Sequence, residues 1–237
     1  MIFQRTNKIE LLRRYIVYIA GLYVFAFGIA LVARSTMGAT PVSSWAYSMS
    51  INTPLSYGTY SFLIHLAMIA YQIAILYGHE LKKEFWNIML QLPFSFLFGA
   101  FLDINMFLTQ SIVPESVLAC IAVLLVACMI HAFGVFMQVS ANVTMMSAEG
   151  FVYYTCKRWN LKFWKTKIIF DVSMVCIAIV TSLLFNFSFS SITRVVREGT
   201  LIDALSVGRI YRFYTHRIKF IDYFISWSKD CKNNALH

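Results

Sequence analysis

Long apolar runs, almost free of charge, alternate along this chain with short polar or basic breaks. That alternation limits the possible folds more than any single motif. Tyr15 to Ala33 and Val117 to Gln138 contain no Asp, Glu, Lys or Arg. About 20 such residues cross a bilayer as a helix. In hydrocarbon every backbone N–H and C=O must find its partner within the protein, so a spanning run folds as a helix or joins a closed barrel. The chain is 59% hydrophobic and 13% charged, against about 25% charged in soluble domains. Its length leaves no room for an ordinary soluble domain beside the spans. The expectation is an all-α, polytopic helical bundle forming one transmembrane domain over 1–237.

Six spans are expected, at 15–34, 58–78, 86–109, 116–138, 166–187 and 198–216. The last is short and contains Asp203 and Arg209. Two apolar pieces, 41–51 and 147–156, are too short to cross and suit re-entrant or half-helices. The first run is too long for a cleaved signal peptide, whose apolar core is about 7–15 residues, so it reads as an uncleaved span. The tail, 217–237, is basic. Ile218, Ile221, Phe224 and Ile225 recur there at helical spacing, as in an interfacial amphipathic helix.

The net charge of +9 is explained by topology and not by nucleic acid. With the N-terminus inside, 17 of the 20 Lys and Arg residues fall on the cytoplasmic side, and Arg34, Arg194 and Arg197 stay outside. This asymmetry predicts that both termini are cytoplasmic. The partner it implies is the lipid bilayer. The five cysteines have no paired spacing, so neither a disulfide framework nor a metal site is expected.

Shifting the chain by 106 residues lays Phe27-Gly28 on Phe133-Gly134, Pro41 on Ser147, His65 on Asp171 and Met68 on Met174. Long span, polar break, short apolar piece and long span recur in the same order. The expected halves are 15–109 and 116–216. Three spans in each would make the second half enter from the opposite side, the inverted repeat of many secondary transporters. In the first break Thr40 is placed to cap a helix and Pro41 to begin it. In the second Ser147 is placed to cap, with Glu149 in the first turn. Inside the membrane such starts would face a ligand. At its surface they would be ordinary caps.

Ionisable residues within spans are expensive and tend to face the bundle, where they mark function. The candidates for binding a substrate or ion are Glu149, Asp171, Glu198, Thr200, Thr40, Pro41, Ser147, His65, Arg34 and Arg197. Asp171 and Glu149 are the best placed to carry a proton. His65 and His131 suit helix–helix hydrogen bonds, and Asp103 and Arg209 suit interfaces. Gln91 and Pro93 would soften the third span, since Pro removes a backbone hydrogen bond.

Catalytic signatures are absent. His79-Glu80 continues as Leu-Lys-Lys and not as a zinc-protease helix, and there is no nucleophile elbow or Walker loop. No enzyme activity and no cofactor are expected.

The run from Gly28 to Pro41, the segment Ala148-Glu149-Gly150 with Lys167 to Asp171, and Arg197-Glu198-Gly199-Thr200 through Gly208 together resemble the YczE/YyaS/YitT-like bacterial membrane proteins over roughly 15–215. Ser147, Asp203 and Arg209 depart from that pattern. The resemblance implies a bacterial cytoplasmic-membrane protein and draws attention to Pro41, Glu149, Asp171, Glu198 and Thr200. A permease for a small polar solute or ion, coupled to protons, is the expected function. The alternative is an accessory or signalling protein that binds a partner.

Overall fold

The computed structural model describes residues 8–76, 79–185, 195 and 197–218. Eight helices are present among them: α1 (Lys8–Arg34), α2 (Ser44–Asn52), α3 (Tyr57–Ile75), α4 (His79–Leu108), α5 (Val117–Ala141), α6 (Ser147–Trp159), α7 (Phe163–Leu184) and α8 (Glu198–Arg217). The described residues contain no strand. Five helices are long and apolar enough to cross a membrane: α1, α3, α4 from Glu80, α5 and α7. The expected sixth span coincides with α8, but this helix carries Glu198, Asp203, Arg209, Arg212 and Arg217 and is not among the five. The expected interfacial helix of the tail lies outside the described residues after Ile218, as does Arg194.

The core is built on α1 and α5. Tyr18, Leu22, Ala26 and Ala30 are fully buried on α1, and Ala127, Cys128 and Ala132 on α5. The contacts fix their direction. Gly21 lies against Met137 and Gln138, and Gly28 against His131, while Gly134 lies against Phe25. Position rises on one helix as it falls on the other, so the two are antiparallel. Gly28 and Gly134 each meet backbone of the partner helix, the close approach that small residues permit. Around this pair α4 packs on α1, α8 on α5, α3 on α6 and α2 on α7. α1 is the most enclosed of the five spans and α7 the least. Ile169, Val172, Val180 and Leu184 on α7 remain exposed. An apolar face of this kind suits lipid.

Both short helices form, and Glu149 stands in the first turn of α6 as expected, but neither start has the expected cap. Thr40-Pro41 does not begin a helix. Ser43 N–H donates to Thr40 O at 3.1 Å, and Ser44 N–H and Oγ donate to Pro41 O at 3.4 and 2.7 Å. The chain therefore closes a tighter turn over 41–43, and α2 starts at Ser44 without a side-chain cap. Ser147 is not a cap either. It is the first residue of α6, behind Met146, and its hydroxyl is taken sideways by His65. Pro93 lies within α4, which continues through it.

Asp103 serves as a cap for the neighbouring helix. Its carboxylate accepts from Gly58 N–H at 2.7 Å and Ser56 Oγ at 2.6 Å, so α4 holds down the amino end of α3. Asp103→Ala is expected to cost about 1–3 kcal/mol, as for hydrogen bonds to a charged group. Amide exchange at Gly58 and Thr59 should rise first. Unchanged protection there would dismiss the cap.

Candidate functional site

Every long helix and the turn before α2 contribute to one cavity of about 360 Å³. Its walls carry Phe25 and Ile29 from α1, Thr40 to Ser43 from the turn, His65 from α3, Phe98 from α4 and His131 from α5. Ala148 and Glu149 from α6, Lys167 and Asp171 from α7, and Asp203 from α8 complete it. A second hollow of about 310 Å³ adjoins it, lined by Gln138, Asn142, Thr144, Tyr153 and Phe163. Phe25, Val135, Met146 and Glu149 line both hollows.

Three polar arrangements shape this site. In the first, Gln72 and Gln91 exchange two amide hydrogen bonds, each 3.0 Å, across α3 and α4. Gln72 Nε2 also donates to Ser147 O at 3.0 Å, and His65 Nδ1 meets Ser147 Oγ. All four residues are buried. This network fixes the amino end of α6 in the bundle, and Gly150 completes the fit: a Cβ there would come within 2.8 Å of Gln72 Oε1 and 2.9 Å of Gln91 Nε2. In the second, His131 Nδ1 lies 2.9 Å from Asp203 Oδ1, which also accepts from Cys128 Sγ at 3.6 Å. In the third, Lys167 Nζ donates to Asp171 Oδ1 at 2.9 Å, one turn apart on α7. Glu149 belongs to none of them. Its Oε2 is buried and has no hydrogen-bond partner among the described residues.

The structure thus gathers five of the sequence candidates, Thr40, Pro41, His65, Glu149 and Asp171, on one cavity, with Ser147 directly behind His65. The other four lie away from it. Arg34 donates to Met106 O at 2.7 Å. Arg197 donates to Thr36 O at 3.2 Å and pairs with Glu198, whose side chain is 68% exposed. Thr200 is buried, with its hydroxyl directed to Val195 O at 3.4 Å. Arg197, Glu198 and Thr200 stand at the amino end of α8, where the chain meets the segment 37–39. There Gly199 N–H donates to Met37 O, and Ala39 N–H to Val195 O, both at 2.8 Å. Gly38 makes the strap possible with a positive φ of 124°, a conformation glycine adopts without strain.

Sequence reasoning missed Gln72 altogether, and it missed the pairings of Lys167 with Asp171 and of His131 with Asp203. The i,i+4 spacing of Lys167 and Asp171 was visible and signals a same-face ion pair. Gln72, a polar residue inside an apolar run, was equally visible, but its partners are distant in sequence.

The fold is a helical bundle with five helices long and apolar enough to cross a membrane, as in multi-pass membrane proteins, and with polar side chains gathered on an internal cavity. Residues 12–216 match the model described as Family of unknown function (DUF6198), and the chain belongs to that family. No curated protein and no solved structure matches it.

Proposed function

We propose that the chain is a secondary transporter for a small polar solute or ion in the bacterial cytoplasmic membrane, driven by protons and built as an inverted repeat with α8 as the sixth span. The observation that carries this reading is the cavity between the two halves, bordered by the turn before α2 and by the start of α6. Sites between repeats at broken helices are the general plan of such proteins. The seam supports the repeat. Adding 106 to Gly28 and Phe25 gives Gly134 and His131, so the contact of Gly28 with His131 exchanges with that of Phe25 with Gly134. The packing of α3 on α6 exchanges in the same way with that of α2 on α7, and α1 on α4 with α5 on α8. The resemblance to YczE/YyaS/YitT-like proteins and the basic inner loops accord with a bacterial membrane and cytoplasmic termini.

In proteoliposomes, a pH gradient should drive solute flux that Asp171→Asn and Glu149→Gln each reduce at least tenfold while the protein stays monodisperse. Full flux in both variants removes the proton role. Co-purification of a stoichiometric partner, with no flux of any solute, would favour the accessory-protein reading and overturn this one.

A further inference from the structure

The charges around the central cavity are not equally compensated. Asp171 has Lys167, and Asp203 has His131 and Cys128. Glu149 Oε2 is buried with no hydrogen-bond partner among the described residues. Glu149 as a whole is half-buried, but keeping even one carboxylate oxygen buried without a partner is costly, so a ligand that supplies a partner gains from it.

The positive features nearby do not reverse this balance. Arg34 and Arg197, the two cationic candidates from the sequence, lie outside the cavity and donate to Met106 O and Thr36 O. Two helix starts border the cavity, and each counts for about half a charge. The start of α6 has its own Glu149 in the first turn. Ahead of α2, the N–H groups of Ser43 and Ser44 are already directed to the carbonyls of Thr40 and Pro41. Lys167 is held by Asp171. Of the titratable side chains on the walls, His65 bonds to Ser147 and His131 to Asp203.

The apolar part of the wall has the same preference. Phe25 and Phe98 both line the cavity, with ring centroids 5.4 Å apart. Aromatic faces attract cations, quaternary ammonium groups above all.

Resting on the proposed transport site, the geometry points to a small organic cation as the ligand, its ammonium group held between the Glu149 carboxylate and the rings of Phe25 and Phe98. Glu149 also lines the adjoining hollow, so it is the carboxylate common to both spaces.

The test uses the purified full-length protein with three small probes of different charge: tetramethylammonium, glycine betaine and acetate. Tetramethylammonium should raise the melting temperature and bind measurably by calorimetry. Glu149→Gln should weaken that binding at least tenfold and Phe98→Leu several-fold, whereas Glu115→Gln, in an exposed loop, should leave it unchanged. Equal or tighter binding of betaine or acetate, or binding that survives Glu149→Gln, overturns the cation site. Should Glu149→Gln not fold, Glu149→Asp and Phe98→Leu carry the test, and binding indifferent to both overturns it. Flux measurements separate this inference from the one beneath it. Cation binding without flux overturns transport and leaves the cation site standing. Flux of an anion or neutral solute, with no cation bound, overturns the cation site and leaves transport standing.

Discussion

Gly28→Ala together with Gly134→Ala should remove most of the folded protein. A Cβ at Gly28 would lie 2.5 Å from His131 N, and one at Gly134 would lie 2.5 Å from Phe25 Cα. The obstacles are backbone atoms of a helix in the core, not the ends of flexible side chains, so α1 and α5 must separate. Overpacking costs about 1–3 kcal/mol per site, and the upper end applies where backbone has to move. Two such sites approach about 5 kcal/mol, the lower end of a typical domain's whole stability. Denaturant titration in mixed micelles measures the loss. Gly208→Ala is the internal comparison, since a Cβ there meets nothing within 4 Å, and it should be neutral or slightly stabilising through helix propensity. If the paired variant unfolds no more easily than Gly208→Ala, the close seam is wrong.

Gln72→Leu is expected to be the other severe change. It removes three hydrogen bonds and leaves the Gln91 amide and Ser147 O without these partners in a buried place. Each buried group left unsatisfied costs about 1–3 kcal/mol, so the total is about 3–5 kcal/mol. Gln72→Leu with Gln91→Leu should lose less than the sum of the single variants, because removing both members of a pair leaves fewer orphans. Thermal unfolding of the four proteins closes the cycle. Strict additivity would mean that the two amides do not interact. Proteolysis near α6 should rise in Gln72→Leu, since the network is what ties the start of that helix to α3 and α4.

The helical bundle was legible because hydrocarbon leaves a chain few options. Tyr15 to Ala33 can be little else than a buried or spanning helix, and α1 covers it. The short pieces at 41–51 and 147–156 were legible from their length, and they became α2 and α6. Their starts were not. Whether Ser147 caps its own helix or bonds another depends on where His65 lies, 82 positions earlier, and no local pattern encodes that. Asp171 and Glu149 were found because charge in an apolar stretch is conspicuous. Arg34, Arg197 and Glu198 were conspicuous for the same reason, yet they lie off the cavity, as does Thr200. Composition marks a residue as unusual, while depth decides whether it meets a cavity or a surface.

The contact between 37–39 and the residues around the start of α8 has a bearing on populations. It is held by two main-chain hydrogen bonds, Gly199 N–H to Met37 O and Ala39 N–H to Val195 O, with Arg197 bridging from an exposed position. Bonds of this kind contribute about 0.5–1.5 kcal/mol each after competition with water. Parting them therefore asks for about 1–3 kcal/mol, which keeps a parted form of this contact between under about 1 per cent and about 15 per cent of molecules.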